Sequence, residues 1–223
     1  MDFKNVTVDQ AIEYHLQLRK KIDEKTTVFS SLVAVLKDAR EVTGRDLQSG
    51  ERGKDTEKLG SWLGAGGYLT VLDQLGKSYR PKSTDKILTP KTSIIRALKY
   101  FTKLTEAEID ALYALRCAFI HDYSLFNIDT RNRKDAYTHH FTVSGVGYEK
   151  NGIVKLPRAK WDGNQNNKTI SNQTVINLPL LGDLVEGIYQ TIVELFKAGE
   201  LEIELAGGHR ELVSRYIMFI FQS

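Results

Sequence analysis

Between Leu178 and Phe196 the chain places an apolar residue every three or four positions: Leu181, Leu184, Val185, Ile188, Tyr189, Ile192, Val193 and Phe196 keep helical register over about five turns. A stripe of that length has to be buried, so the fold must supply a broad apolar surface for it to lie on. It does not read as a membrane span, because Asp183, Glu186 and Glu194 break a run that would need roughly 18 apolar residues. The covering surface is expected from the same chain. With 223 residues there is enough sequence for a full core, and 41% hydrophobic against 26% charged residues excludes a disordered chain.

Other helices are predicted upstream. Thr7 caps a first one running to about Lys25, with Ile12, Leu16 and Ile22 on roughly one face. A second starts at Thr27, where Phe29, Leu32, Val33 and Leu36 recur, and ends before Gly44. The stretch Gly44 to Gly60, rich in Gly, Asp, Lys and Glu, reads as a mobile loop. Trp62, Leu63, Tyr68, Leu69, Leu72 and Leu75 point to a helix over about Gly67 to Ser78, its first turn delayed by Gly64, Gly66 and Gly67. After a basic linker bounded by Pro81 and Pro90, Ile94, Ile95, Leu98 and Phe101 define a fourth helix. The Thr105/Glu108 capping box opens a fifth, carrying Ile109, Leu112, Leu115 and Phe119. A last helix is expected over Glu211 to Phe221.

From Asp135 the texture changes. Tyr137 to Tyr148 and Ile153 to Trp161 contain Val, Thr and Tyr and are punctuated by Gly145, Gly147 and Asn151-Gly152, so they read as strands of a small antiparallel sheet. Asp162 to Asn172 reads as a loop and Thr174 to Asn177 as one further strand. The expected architecture is therefore mainly α: one helical-bundle domain over residues 1–223 with a β-rich insertion at about 135–177.

Cys117 is the single cysteine, so no disulfide forms within the chain, and Met1-Asp2-Phe3-Lys4 is not a basic stretch followed by an apolar run. A cytoplasmic setting is expected. The formal net charge of +3 does not by itself point to nucleic acid. Lys and Arg crowd Lys77 to Lys103 and Arg131 to Lys134, which reads first as solvated surface.

Several chemistries are set aside on spacing. Gly76-Lys77-Ser78 resembles the end of a phosphate-binding loop, but Val71 stands where that motif needs glycine. Gly64-Ala65-Gly66-Gly67 lacks the remainder of a dinucleotide fingerprint and reads as a place of close helix approach. His139 and His140 point to opposite faces of a strand and cannot share a metal. Cys117 and His121 have a usable ligand spacing on a helix, yet two ligands do not make a zinc site, and neither a metal nor a cofactor is expected.

Arg116 and His121 stand out within Tyr113-Ala114-Leu115-Arg116-Cys117-Ala118-Phe119-Ile120-His121-Asp122-Tyr123. Leu112, Leu115 and Phe119 require this helix to be packed, and an arginine near a core needs a partner, either a carboxylate or a phosphate that its planar fork can grip. An ion pair with Asp or Glu and a histidine with a satisfied ring is the plainer of the two possibilities.

The spacing Arg116-x4-His121, late on an apolar helix that follows another amphipathic helix, resembles the Arg-x(4–6)-His signature of the HEPN superfamily (higher eukaryotes and prokaryotes nucleotide-binding), and Leu-Arg-x-x-x-x-His-Asp-Tyr reads like many of its members. The resemblance covers about Lys91 to Asn127. Cys117 differs from the polar residue, such as asparagine, that commonly follows the arginine there. The resemblance implies a helical bundle that cleaves RNA without metal: the ribose 2′-hydroxyl attacks the neighbouring phosphorus and leaves a 2′,3′-cyclic phosphate. His121 would exchange the proton and Arg116 would stabilise charge on the phosphorane. Tyr113, Cys117, Asp122 and Tyr123 are the expected substrate-binding neighbours. Five residues apart, the two side chains diverge by about 140° around an ideal helix. Either the helix loosens near His121 or a second copy completes the site, and a homodimer through this helix is expected, as in similar family members. The alternative from another class is a non-catalytic RNA-binding, nucleotide-binding or protein-interaction module. The RNA sequence, the biological setting (toxin, phage defence or housekeeping) and any antitoxin partner are not readable from the residues.

Overall fold

A computed structural model describes residues 6–17, 19–88, 92–130 and 135–221. The opening Met1 to Lys4, Pro90 and the basic run Arg131 to Lys134 lie outside the described residues. In chain order the elements are α1 (Val8–His15), β1 (Arg19–Lys21), β2 (Thr26–Ser30), α2 (Ser31–Val42), α3 (Trp62–Ser78), β3 (Tyr79–Pro81), α4 (Ser93–Phe101) and α5 (Glu106–Asp122). There follow β4 (Phe126–Asn127), β5 (His139–Ser144), β6 (Val154–Lys155), β7 (Thr174–Asn177), α6 (Leu178–Lys197), β8 (Leu201–Ile203), α7 (Gly208–Tyr216) and β9 (Ile217–Phe221).

The long apolar stripe forms α6 as its periodicity requires. Asn177 caps it, its Oδ1 accepting from the Leu180 amide at 3.0 Å, and Leu181, Val185, Ile188 and Ile192 are buried. The surface it lies on is α3, which also packs against α2 and α4. Glycines make those approaches possible. A β-carbon on Gly67 would come within 3.0 Å of Ala39 Cβ on α2, and one on Gly76 would run into Ser93 and Ala97 of α4. One continuous buried cluster draws on all seven of these helices and on β5, β6, β7 and β8.

The expectation of a mainly α bundle with a small antiparallel insertion is overturned. Helix takes 51% of the residues and strand 16%, in seven helices and three sheets among the described residues, which is a mixed α/β fold. Two local readings account for the difference. Thr26–Ser30 shares apolar spacing with α2 but is a strand, β2, and the helix begins only at Ser31, where the Ser30 hydroxyl accepts from the Val33 amide at 3.4 Å. Ile217–Phe221, five apolar residues in a row, carries no period at all. It leaves α7 at Tyr216 and pairs antiparallel with β2, Thr26 opposite Phe221 and Ser30 opposite Ile217, in a sheet ordered β1-β2-β9. The first helix accordingly stops at His15, well short of Lys25.

The strand-rich segment is a four-stranded sheet of order β4-β5-β7-β6, and it is mixed, since β5 and β7 run parallel with Phe141 opposite Thr174. The long excursion 145–173 returns the chain to the start of the sheet, and this sets the parallel direction. Two further corrections concern termini and loops. α3 starts at Trp62, not Gly67, because the Ser61 hydroxyl caps it by accepting from the Gly64 amide at 3.2 Å. The stretch 44–60 is tied down rather than loose. Arg45, buried, donates to Pro179 O at 2.9 Å and to Asp183 Oδ1 at 2.8 Å, and Arg40 beside it grips both Glu186 oxygens at 2.9 and 2.7 Å. Among the described residues no helix is long and apolar enough to cross a membrane.

Candidate functional site

α5 is fixed at its start by the expected capping box: Thr105 Oγ1 accepts from the Glu108 amide at 3.3 Å and Glu108 Oε2 accepts from the Thr105 amide at 2.8 Å. Ile109, Leu112, Leu115 and Phe119 bury one side of it, leaving the face with Tyr113, Arg116, Cys117 and His121 turned toward a cleft of about 590 Å³. Asp122 lines the same cleft. The opposite wall comes from the strand-rich part of the chain: Phe126 and Asn127 of β4, the following Ile128 to Thr130, and Tyr137. Asn127 Nδ2 donates to the Tyr137 carbonyl at 2.6 Å, which pins that wall together.

The helix stays regular through Asp122, so no loosening near His121 is needed to bring the pair to one cavity. The divergence around the axis places Arg116 deeper and His121 at the mouth. His121 is exposed and makes no hydrogen bond to another described residue. Arg116 is half-buried, and its Nε donates to Asp73 Oδ2 on α3 at 2.6 Å. Burial works against the Arg116 charge, but Asp73 more than offsets it and holds the guanidinium above its ordinary range. The hydrogen bond to Asp73 uses Nε, and the Arg116 side chain lines the cleft.

Tyr113 sits one turn earlier, its ring edge-on to Tyr137 with centroids 4.8 Å apart. Burial, and then contact with the Cys117 thiol, push its phenol up to about 12, so it stays a neutral hydroxyl at any physiological pH. Cys117 is partly exposed in the same wall. Cys117 and His121 thus share the cleft, but among the described residues no group of three His, Cys, Asp or Glu side chains is gathered to hold a metal ion. His139 is spoken for elsewhere: its Nδ1 meets Thr174 Oγ1 at 2.8 Å and its Nε2 meets the Ala136 carbonyl at 2.8 Å.

Of the six residues singled out in the sequence, the structure gathers Tyr113, Arg116, Cys117, His121 and Asp122, and it leaves Tyr123 out. Tyr123 terminates α5 in the left-handed conformation, φ 52°, and stacks on Phe119, centroids 6.0 Å apart, beside a different concavity. Asp73 and the wall residues Asn127 and Tyr137 were missed. Asp73 did carry a signal, a lone carboxylate between Leu72 and Leu75 in an apolar helix, which a buried arginine elsewhere in the chain would answer.

The fold and cleft define a mixed α/β protein with one helix presenting Arg and His to a polar, solvent-open cavity. The sequence matches no family model, and neither a curated protein nor a solved structure proves similar to it.

Proposed function

We propose that this chain is a metal-independent endoribonuclease of the HEPN type, with Arg116 and His121 as its reacting pair. The observation that carries this reading is that the two residues, five apart on one regular helix, line the same cleft with His121 exposed at its mouth. In the reaction the 2′-hydroxyl gives up its proton to water as its oxygen bonds to phosphorus, the bond from phosphorus to the 5′-oxygen breaks, and His121, protonated at the start, delivers the proton that the departing 5′-oxygen takes up. Arg116, which lines the cleft, meets the charge that accumulates on the non-bridging oxygens. Tyr113, kept protonated, is a hydrogen-bond donor to phosphate or base. Both groups line one cleft of a single chain, and whether a second copy completes the site is tested by sedimentation.

A second reading has its own support. Asp73 already neutralises Arg116, and among the described residues nothing orients the His121 ring as a base or acid would be oriented. A module that binds RNA or nucleotide through Arg116 without turnover fits those two facts. Incubation of labelled single-stranded and structured RNA with the protein in EDTA, followed by analysis of product ends, separates the readings. Cyclic phosphate ends on one side and 5′-hydroxyls on the other are expected; binding without cleavage would favour the module.

A further inference from the structure

The last turns of α5 also border a second concavity, about 530 Å³, formed between α2, α3 and the end of α5. Its floor is apolar, with Val35 and Val42 from α2 and the ring of Phe119 beneath. Leu63, Ile120 and Tyr123 stand around it, 63%, 42% and 52% exposed, which is a large amount of apolar side chain to leave in water at one place. The charged residues that line it, Asp38 and Glu41, are both acidic and exposed.

One feature of the backbone is unexplained by the packing of the chain on itself. Gly64 and Gly67 are required where α3 meets α2, but Gly66 is not: a β-carbon there would meet only Tyr123 Oη, at an ordinary 3.5 Å. A mid-helix glycine costs about 1 kcal/mol relative to alanine, and here it keeps the groove open. Tyr123, the one non-glycine residue at positive φ among the described residues, ends α5 as its left-handed cap, with the Ser124 amide donating to Ala118 O at 3.1 Å, and this places its ring at the groove edge.

We infer that this groove is a docking site for an amphipathic helix of another protein, one with an apolar stripe flanked by Lys or Arg. The trough between helices suits a helical stripe, the open position at Gly66 leaves room for its side chains, and the acidic rim selects the basic flank. The site is distinct from the Arg116/His121 cleft and does not depend on its function.

The test uses two synthetic helical peptides of about four turns with the same leucine stripe, one flanked by lysine and one by glutamate. Titrated into the full chain, the lysine peptide is expected to bind in the micromolar range with an affinity that falls as salt rises, and the glutamate peptide far more weakly. Gly66→Leu, which fills the groove, should weaken the lysine peptide by roughly tenfold or more. The double change Asp38→Lys with Glu41→Lys, at exposed positions that leave the core alone, should reverse the preference between the peptides. Equal binding of both peptides, or lysine-peptide binding that survives both sets of changes, would overturn the inference. So would self-association that sediments as a dimer and is lost in Gly66→Leu, since the occupant would then be a second copy of this chain.

Discussion

Asp73 decides how much positive charge Arg116 can offer. The pair is partly exposed, so its own contribution to stability is about 1 kcal/mol, but its hold on Nε fixes where the fork points. Asp73→Asn is therefore expected to lower stability only slightly, to tighten RNA binding because the cation is no longer neutralised, and to slow cleavage because the fork is no longer aimed. Denaturant unfolding, filter binding and single-turnover rates on the same variant check the three directions, and an unchanged rate would show that Asp73 has no positioning role. His15 offers a prediction of a different kind. It is fully buried on α1, with Nδ1 2.7 Å from Tyr79 Oη, and burial, only partly opposed by Gln74, depresses it to about 3. Because the folded value lies below the unfolded one, near 6.5, the stability it contributes is present above that pH and is lost as pH falls toward 3. Urea unfolding between pH 7 and pH 4.5 should lose stability with a slope approaching about 1.4 kcal/mol per pH unit from this group alone. His15→Phe should flatten that slope, and an equally steep slope in the variant would contradict the assignment. Arg116 and His121 could be read from sequence because polar groups on an apolar helix are conspicuous. Asp73, Asn127 and Tyr137 could not be tied to them, since those pairings exist only once α3 and the strand-rich wall have folded against α5.

Where an element buries one face, its period survived into the structure: α4, α5 and α6 lie where their apolar spacing places them. The readings failed where period is uninformative. β2 and the start of α2 share one apolar spacing, and β9 is apolar at every position, so only the pairing of the two strands, near opposite ends of the chain, decides their conformation. The glycines of α3 show the same division. Their presence was readable, but which of them packs was not. Gly66→Ala should stabilise the protein by about 0.5–1 kcal/mol, since the new methyl group meets nothing tighter than 3.5 Å and the helix gains propensity. Gly76→Ala should destabilise it severely by forcing α3 from α4 at Ser93. Urea denaturation of the two variants measures the contrast, and equal effects would refute this account of the packing.

Across the whole molecule, the wall that faces α5 comes mostly from β4 and Ile128 to Thr130, just ahead of the 135–177 insertion marked in the sequence, and Tyr137 is the insertion's own contribution to the cleft. As proposed, this cleft passes a proton to RNA through His121 rather than merely holding it through Arg116. The most direct measurement compares His121→Ala, Arg116→Ala and Arg116→Lys for both RNA affinity and cleavage in EDTA, after confirming that each variant is folded. His121→Ala is expected to lose cleavage while keeping near wild-type affinity, Arg116→Ala to lose both, and Arg116→Lys to recover binding better than turnover. Cleavage that persists in His121→Ala with the same cyclic phosphate ends, or a wild-type protein that binds RNA through Arg116 and never cuts it, would contradict the claim.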